Sequence, residues 1–199
     1  MSGDWHRAPL FRRNTQRVLG TALRLFWRLE VSGLENLPPD GAAVLAANHN
    51  ALIDGPLLGV ATGLASRYFL PLTKQEAYRI PVVGWFLRKV GTIPLERKGD
   101  VQAMRAALDW LAQSGGLIIF PEGTRSRTGV PLKPKAGVGF LASRSGAPVV
   151  PARIYGTRRF PFARIKVRVG PPLPPPPADS DRAACLAFAE RVMAAILAL

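Results

Sequence analysis

Short apolar segments of strand length alternate with longer helix-like segments along most of this chain. A buried strand is an apolar run of about four to eight residues, whereas a helix places apolar residues three or four positions apart. On these patterns we predict strands near 42–47, 67–72, 91–95, 116–120, 148–154 and 164–169, and helices near 51–62, 75–89, 100–114, 136–145 and 179–198. The alternation favours an α/β fold, with a largely parallel central sheet flanked by helices.

The N-terminal region carries a separate amphipathic helix, predicted over residues 10–29. At about 100° per residue, six apolar side chains share one side of this helix and four arginines lie roughly opposite. The apolar set is Phe11, Val18, Ala22, Leu25, Phe26 and Leu29, and the basic set is Arg13, Arg17, Arg24 and Arg28. Such a helix suits the interface of an anionic membrane, and packing on the protein's own core is the alternative. We therefore divide the chain into a membrane-associating helix region, residues 1–32, and an α/β domain, residues 33–199.

Length and composition exclude several protein classes. A chain of 199 residues with 48% hydrophobic residues is typical of one globular domain. Its longest apolar runs, such as 81–87, are far shorter than the ~20 residues that span a bilayer, so we expect no transmembrane helix and no cleaved signal peptide. The single cysteine, Cys185, excludes an intramolecular disulfide. With one cysteine and one candidate interior histidine, we expect no metal site.

The formal net charge of +14 indicates a polyanionic partner. Between residues 121 and 170 there are eleven lysines and arginines and one acid, Glu122. No zinc-finger spacing, basic region with heptads or aromatic RNA-binding motif accompanies this charge, so we expect no nucleic-acid partner. Anionic membrane lipid and phosphate-bearing substrates explain the charge better.

His49 and Asp54 form the strongest candidate for chemistry. The chain has two histidines, and His6 lies in a segment expected to fray, so a general base acting near neutral pH falls on His49. The apolar segment 41–47 predicts a strand that ends just before His49, and Asn50 is placed to cap a helix that includes Asp54. A carboxylate there can hold one ring nitrogen and leave the other free to accept a proton. The alternative is an ordinary loop histidine beside an ordinary first-turn acid.

A second segment lies at the end of another predicted strand. Residues 117–120 are a buried apolar run, followed by the sequence Pro-Glu-Gly-Thr-Arg-Ser-Arg at 121–127. A proline-glycine turn with two arginines at the mouth of an α/β sheet favours anion recognition.

These two segments together resemble the glycerolipid acyltransferases, in particular the 1-acylglycerol-3-phosphate acyltransferases. The resemblance lies in His-x4-Asp at 49–54, followed about seventy residues later by Phe-Pro-Glu-Gly-Thr-Arg-Ser. The segments 91–97 and 147–152 are similar to the second and fourth motifs of the family and fall in the same order. The likeness extends from about Gly33 to Gly156.

The resemblance implies transfer of a fatty acyl group from acyl-CoA or acyl carrier protein to the sn-2 hydroxyl of 1-acylglycerol 3-phosphate, giving phosphatidate. His49 would be the general base, oriented by Asp54, because an alcohol is a poor nucleophile at neutral pH. The expected phosphate-binding residues are Arg97, Arg125 and Lys74, and the expected positioning residues are Glu122, Gly123, Thr124 and Asn48. For Glu122 we expect bonds to acceptor hydroxyls or positioning of Arg125, and for Gly123 and Thr124 backbone donors in a tight turn. For Asn48 we expect mainly bracing of the turn, with donation to the oxyanion as the alternative. No cofactor is expected beyond the acyl donor.

Two further expectations concern location and rival functions. The expected partners are an anionic membrane surface, a lysophospholipid acceptor and the acyl donor, with the protein peripheral on the cytoplasmic side of the membrane. Within the same chemistry, the alternative is an acyltransferase for glycerol 3-phosphate or another lysophospholipid. From a different class, the alternative is a catalytically silent, basic lipid-binding module. The apolar segment 80–87 is expected to line an acyl tunnel, to dip into the bilayer or to be a plain core helix.

Overall fold

One seven-stranded sheet organises the fold. The computed structural model describes residues 9–65, 67–95, 101–159 and 163–199. The strands are β1 (Glu30–Ser32), β2 (Ala43–Ala47), β3 (Phe69–Lys74), β4 (Ile93–Leu95), β5 (Gly116–Ile119), β6 (Val149–Tyr155) and β7 (Lys166–Val169). The helices are α1 (Pro9–Trp27), α2 (Asp54–Leu64), α3 (Gln75–Tyr78), α4 (Pro81–Val90), α5 (Val101–Ala112), α6 (Gly137–Ser145) and α7 (Arg182–Ala198).

The strand order is β1-β7-β6-β2-β5-β3-β4. Strands β6, β2, β5, β3 and β4 run parallel to one another, whereas β7 is antiparallel to β6 and parallel to β1. The predicted α/β fold with a largely parallel sheet is therefore confirmed. β2 lies in the middle of the sheet, and all five of its residues are buried, as expected for a strand covered on both faces.

Two hydrophobic cores lie on the two faces of the sheet. On one face, Leu23 of α1 and Leu57 and Leu58 of α2 pack against alternate residues of the central strands. On the other face, the core contains residues of α5, α6 and α7, among them Trp110, Leu141 and Phe188. We call these the α1/α2 face and the α7 face.

One side of helix α1 packs against the domain, whereas much of the predicted apolar side is exposed. Leu23 is 1% exposed, and the Gln16 amide donates to the carbonyl of Gly59 at 2.7 Å. By contrast Val18, Leu25 and Phe26 of the predicted stripe are 73%, 71% and 74% exposed. Phe11 and Ala22 of the stripe are half-buried, and Leu29, which lies beyond the end of α1, is buried in the α1/α2 face.

Several element boundaries differ from the sequence prediction. The segment predicted as one helix over 75–89 is two helices, because a proline at 81 disfavours helical geometry in the preceding residue and starts a new helix at its own position. The short edge strand β1 was not predicted. The proline-rich segment 171–177 has no helix and pairs once with β6, between Leu173 and Val149.

Helix α4 is not a core helix. Ile80, Val82 and Trp85 are 55%, 78% and 51% exposed, which removes the core alternative for the 80–87 segment. Trp85 contacts Phe11 of α1 edge to face, with ring centroids 5.7 Å apart. Within the described ranges, no helix has both the length and the apolar character needed to cross a bilayer.

Candidate active site

The site lies where the two central strands β2 and β5 end. The helix after β2, α2, lies on the α1/α2 face, and the helix after β5, α6, lies on the α7 face. In open α/β sheets, ligands bind at the carboxyl ends of the strands, at the point where two neighbouring strands are followed by helices on opposite faces of the sheet. His49 follows β2, and Glu122 follows β5, so both loops meet at this position.

The predicted pair of His49 and Asp54 is in contact. His49 Nδ1 lies 3.0 Å from Asp54 Oδ2, and Asp54 is fully buried. The same Oδ2 atom accepts the backbone N–H groups of Asn50 at 2.6 Å and Ala51 at 2.7 Å. A carboxylate at this distance accepts from Nδ1–H, and in that tautomer of the neutral imidazole Nε2 has a lone pair.

The start of α2 differs from the prediction in one respect. Asn50 does not cap the helix: α2 begins at Asp54, and its N-cap residue is Ile53, without a side-chain hydrogen bond. Instead, the Asp54 carboxylate accepts from the turn that precedes the helix. This arrangement fixes the His49 turn relative to the helix.

Backbone hydrogen bonds on both sides of His49 join its loop to the β5 loop. The His49 N–H donates to Glu122 Oε1 at 3.2 Å, and the Ser126 N–H donates to the His49 carbonyl at 2.8 Å. Ser126 is itself buried, and its hydroxyl bonds the backbone of Val130 and Gly129. The imidazole also stacks on Phe120. No role was predicted for Phe120 or Ser126 from the sequence, although both lie inside the Phe-Pro-Glu-Gly-Thr-Arg-Ser motif.

Glu122 holds the loops after β2 and β5 in place through hydrogen bonds with their backbone. Its Oε1 accepts from the His49 N–H and its Oε2 from the Leu132 N–H at 3.3 Å, and the residue is 2% exposed. No ion pair joins it to Arg125, although the structure describes both residues, and the other alternative, bonds to acceptor hydroxyls, stays a prediction. Burial raises the pKa of the Glu122 carboxyl, and the two N–H donors and His49 oppose the rise.

Gly123 and Thr124 form the exposed tip of the turn. Gly123 has φ = +66°, a conformation that strains residues with a Cβ, and a Cβ there would lie 2.6 Å from Lys135 Nζ. Its N–H donates to the carbonyl of Phe120 at 2.9 Å. This N–H is therefore used within the turn, and the positioning role expected for Gly123 and Thr124 stays a prediction.

Asn48 braces the end of β2. Its side-chain amide donates to the Ile154 carbonyl at 3.0 Å, and its Oδ1 accepts the Ile154 N–H at 2.7 Å. Both functions of the amide are thus used within the protein. The bracing role expected for Asn48 agrees with these contacts.

The predicted phosphate-binding residues lie to one side of His49. Arg125 is exposed on the β5 loop, and Lys74 is the exposed last residue of β3. Arg97 lies outside the described residues. Since β5 and β3 are consecutive neighbours of β2, Arg125 and Lys74 share the carboxyl edge with His49, but neither contacts it.

Cys185 is not placed for chemistry. It is buried in α7, and burial raises the pKa of its thiol. A raised pKa disfavours the nucleophilic thiolate.

Comparison with known proteins gives consistent matches. Residues 28–155 match the protein-family model described as Acyltransferase. The chain is 31% identical over 161 residues to the 1-acyl-sn-glycerol-3-phosphate acyltransferase of Bacillus subtilis, a match that covers 78% of this chain and 79% of that protein. It is 32% identical over 139 residues to a chloroplastic 1-acyl-sn-glycerol-3-phosphate acyltransferase of Brassica napus, covering 68% of this chain. The chain spans 39% of the length of that plant relative.

A solved structure is also similar. The crystal structure of the 1-acyl-sn-glycerophosphate acyltransferase PlsC from Thermotoga maritima superimposes with a TM-score of 0.68 at 25% sequence identity. The match covers 94% of this chain and 80% of that one.

Proposed function

Because the chain belongs to the acyltransferase family, whose model it matches over residues 28–155, we propose that it is a 1-acylglycerol-3-phosphate O-acyltransferase. It moves a fatty acyl group from the thioester of coenzyme A or acyl carrier protein to the sn-2 hydroxyl of the acceptor and forms phosphatidate. The observation that carries this proposal is the contact of 3.0 Å between His49 Nδ1 and Asp54 Oδ2. The similar proteins named for this activity support the choice of acceptor.

In the proposed reaction His49 is the general base. Its Nε2 takes the proton of the acceptor hydroxyl as that oxygen attacks the thioester carbonyl, and Asp54 stabilises the imidazolium that forms. The tetrahedral intermediate then collapses, the carbon–sulfur bond breaks, and the proton passes from Nε2 to the leaving thiolate. The acceptor hydroxyl occupies the place that a serine has in a Ser-His-Asp triad, so the protein itself supplies no nucleophile.

The acceptor phosphate binds to cations on the β5, β3 and β4 side of His49. Arg125 and Lys74 are exposed there, and exposure leaves their donors available to a ligand. Arg97 completes the set by its position in the motif order. A guanidinium offers two parallel donors to a phosphate, which suits Arg125 and Arg97 for this task.

The protein works as a peripheral protein at an anionic membrane, on the cytoplasmic side where acyl-CoA and acyl carrier protein occur. The side chains of Val18, Leu25 and Phe26 on α1 and of Ile80, Val82 and Trp85 on α4 are exposed, and the contact between Phe11 and Trp85 joins the two helices. An apolar surface with arginines along its edge suits the headgroup region of a bilayer. We call this the α1/α4 apolar surface.

A silent lipid-binding module is disfavoured by the same geometry. Asp54 is buried, and its Oδ2 atom accepts three hydrogen bonds from the His49 turn, one of them from the imidazole. A module that only binds lipid gains nothing from a histidine held with a free Nε2.

The test is a product analysis with the purified chain. Labelled acyl-CoA or acyl carrier protein is supplied with 1-acylglycerol 3-phosphate, glycerol 3-phosphate or a lysophospholipid without a phosphate monoester. We expect labelled phosphatidate from 1-acylglycerol 3-phosphate and none from His49→Ala. Transfer confined to another acceptor would overturn the proposed substrate. Vesicle binding without any transfer would favour the silent module.

A further inference from the structure

A cavity of about 650 Å³ lies beside the His49 turn, between the loop after β5 and the described residues of the loop after β6. It is bounded by Asn48 and Asn50 of the turn, by Glu122, Gly129 and Pro131 of the loop after β5, and by the last turn of α7 at Leu197. β6 and β5 flank β2 on opposite sides, and their loops meet at the cavity, where Arg158 donates to the carbonyls of Thr128 and Arg127. The proposed acceptor site does not use this cavity.

The lining of the cavity is strongly basic. Arg153, Arg158, Arg159 and Arg164 line it, and Glu122 is the one acid among its described lining residues. Both oxygens of Glu122 already accept backbone N–H groups. Four guanidinium groups around one cavity attract anions and bind phosphate in particular, since the fork of an arginine matches phosphate oxygens.

Two of these arginines are fixed in place. Arg158 donates to the carbonyls of Thr128 and Arg127 and lies over Gly129, where a Cβ would collide with the guanidinium. Arg153 donates to the carbonyl of Leu197 and stacks on Tyr155, 4.9 Å from the ring centroid. These contacts hold the lining in shape before any ligand binds.

The other two arginines are available to a ligand. Arg159 and Arg164 are exposed, and neither guanidinium has a hydrogen bond or an ion pair with any residue in the described part of the chain. Two guanidinium groups are held by protein contacts and two are available for binding. Together they form a site for a ligand group with several negative charges.

The position of the cavity distinguishes the donor from the acceptor. Along β6, Ile154 packs into the α1/α2 face, whereas Arg153 bonds α7 on the other face. The cavity thus reaches toward α7, while the α1/α4 apolar surface belongs to α1 and to the helix that contacts it. A water-soluble ligand fits this side better than a lipid held in the membrane. Among the substrates, that ligand is the acyl donor.

We propose that this cavity binds the phosphate groups of the acyl donor, a phosphopantetheine thioester. The proposal rests on the proposed function, which supplies the donor. Coenzyme A and acyl carrier protein share a pantetheine arm with the thioester at one end and phosphate at the other. The cavity holds the phosphate end, the arm passes Asn48 and Asn50, and the thioester reaches His49. The donor phosphate then binds to the arginines of the cavity and the acceptor phosphate to Arg125, Lys74 and Arg97, so the two phosphates share no binding residue.

The test uses the double variant Arg159→Gln/Arg164→Gln. Both side chains are exposed and unbonded within the described structure, so the variant keeps the fold. Arg105→Gln, at an exposed arginine of α5, is the control for loss of a surface positive charge outside the cavity. Binding of coenzyme A without acceptor is measured by titration calorimetry on the full chain, and KM is measured for acyl-CoA, for acyl carrier protein and for 1-acylglycerol 3-phosphate.

We expect the double variant to raise the Kd for coenzyme A by about tenfold or more, because charged hydrogen bonds are lost. The KM for acyl-CoA should rise in parallel, with little change in the KM for the acceptor or in kcat, and with no effect of Arg105→Gln. An equal loss with acyl carrier protein supports recognition of the phosphate common to both donors, and a loss with acyl-CoA alone supports recognition of its nucleotide phosphates. An unchanged Kd, or a rise in the acceptor KM instead, would overturn the proposal. Coenzyme A binding that depends on these arginines in a chain without any transfer activity would keep the site and reject the proposed function.

Discussion

The imidazole of His49 lies flat against the ring of Phe120, with centroids 4.0 Å apart and an angle of 13° between the planes. Asp54 fixes one edge of the imidazole through Nδ1, and Phe120 fixes its plane. The two residues come from the loops after β2 and β5, so the orientation of the proposed base depends on the junction of these strands. An imidazole held in this way aims Nε2 in one direction.

Phe120→Leu should lower kcat clearly and change the stability of the fold little. Leucine keeps much of the apolar contact with the α1/α2 core, but it cannot stack on the imidazole. A base displaced by a fraction of an ångström costs about tenfold or more in turnover. Steady-state kinetics and thermal unfolding of the same preparation test this. A variant with wild-type kcat would show that the stacking does not position His49.

Arg125→Gln should weaken phosphorylated acceptors selectively. The loss of a charged hydrogen-bond partner costs about 1.5–3 kcal/mol. We expect kcat/KM for 1-acylglycerol 3-phosphate to fall by the factor that corresponds to this free energy. The fall should be much smaller for an acceptor without a phosphate monoester. Arg127→Gln, two residues along the same loop, is the matched control. Equal losses on both acceptors would mean that Arg125 serves the loop or the donor.

Glu122→Gln should change how stability depends on pH. Because burial raises the pKa of Glu122, the folded protein holds this proton more tightly than the unfolded chain. The stability contributed by protonation is fully present below the ordinary carboxyl range and is lost as pH rises through the raised pKa.

The wild type should therefore gain stability relative to Glu122→Gln as pH falls. Chemical denaturation between about pH 4 and 8, which spans the ordinary range of a carboxyl group, measures this difference. Glu190→Gln shows what removal of an exposed carboxylate does in the same assay. A difference that stays constant or changes in the opposite direction would contradict the assigned effect of burial.

Leu25→Ser/Phe26→Ser should reduce binding to anionic vesicles without unfolding the protein. Both side chains are exposed, and burial of apolar surface contributes ~25 cal/mol per Å². Co-sedimentation with vesicles of increasing anionic lipid content measures the effect, and added salt should weaken binding of the wild type. Leu186→Ser, on the opposite face in α7, is the control. Unchanged vesicle binding would place the membrane contact elsewhere.

The sequence predicts the parts of this protein in which local pattern and burial agree. The central strands are continuous apolar runs because both faces of the sheet are covered, and the His49–Asp54 contact follows from a loop and a helix start only five residues apart. The edge strand β1 was missed because three residues with one partly buried position carry no apolar pattern.

The parts that depend on long-range pairing could not be predicted. The partners of Glu122 are backbone groups of His49 and Leu132, which sequence motifs do not show. The basic cavity forms because β6 returns to the side of β2 opposite β5, and only the strand order places Arg158 and Arg159 beside the His49 turn.

The turnover of His49→Ala measures the central claim most directly. The backbone N–H and carbonyl of His49 bind Glu122 and Ser126 whatever the side chain is, so the fold should be retained, as circular dichroism and thermal unfolding can verify. Loss of the general base should lower kcat with acyl-CoA and 1-acylglycerol 3-phosphate by roughly 10²–10⁴. A folded His49→Ala protein that keeps more than about a tenth of wild-type turnover, a loss well short of what a general base contributes, would contradict the account.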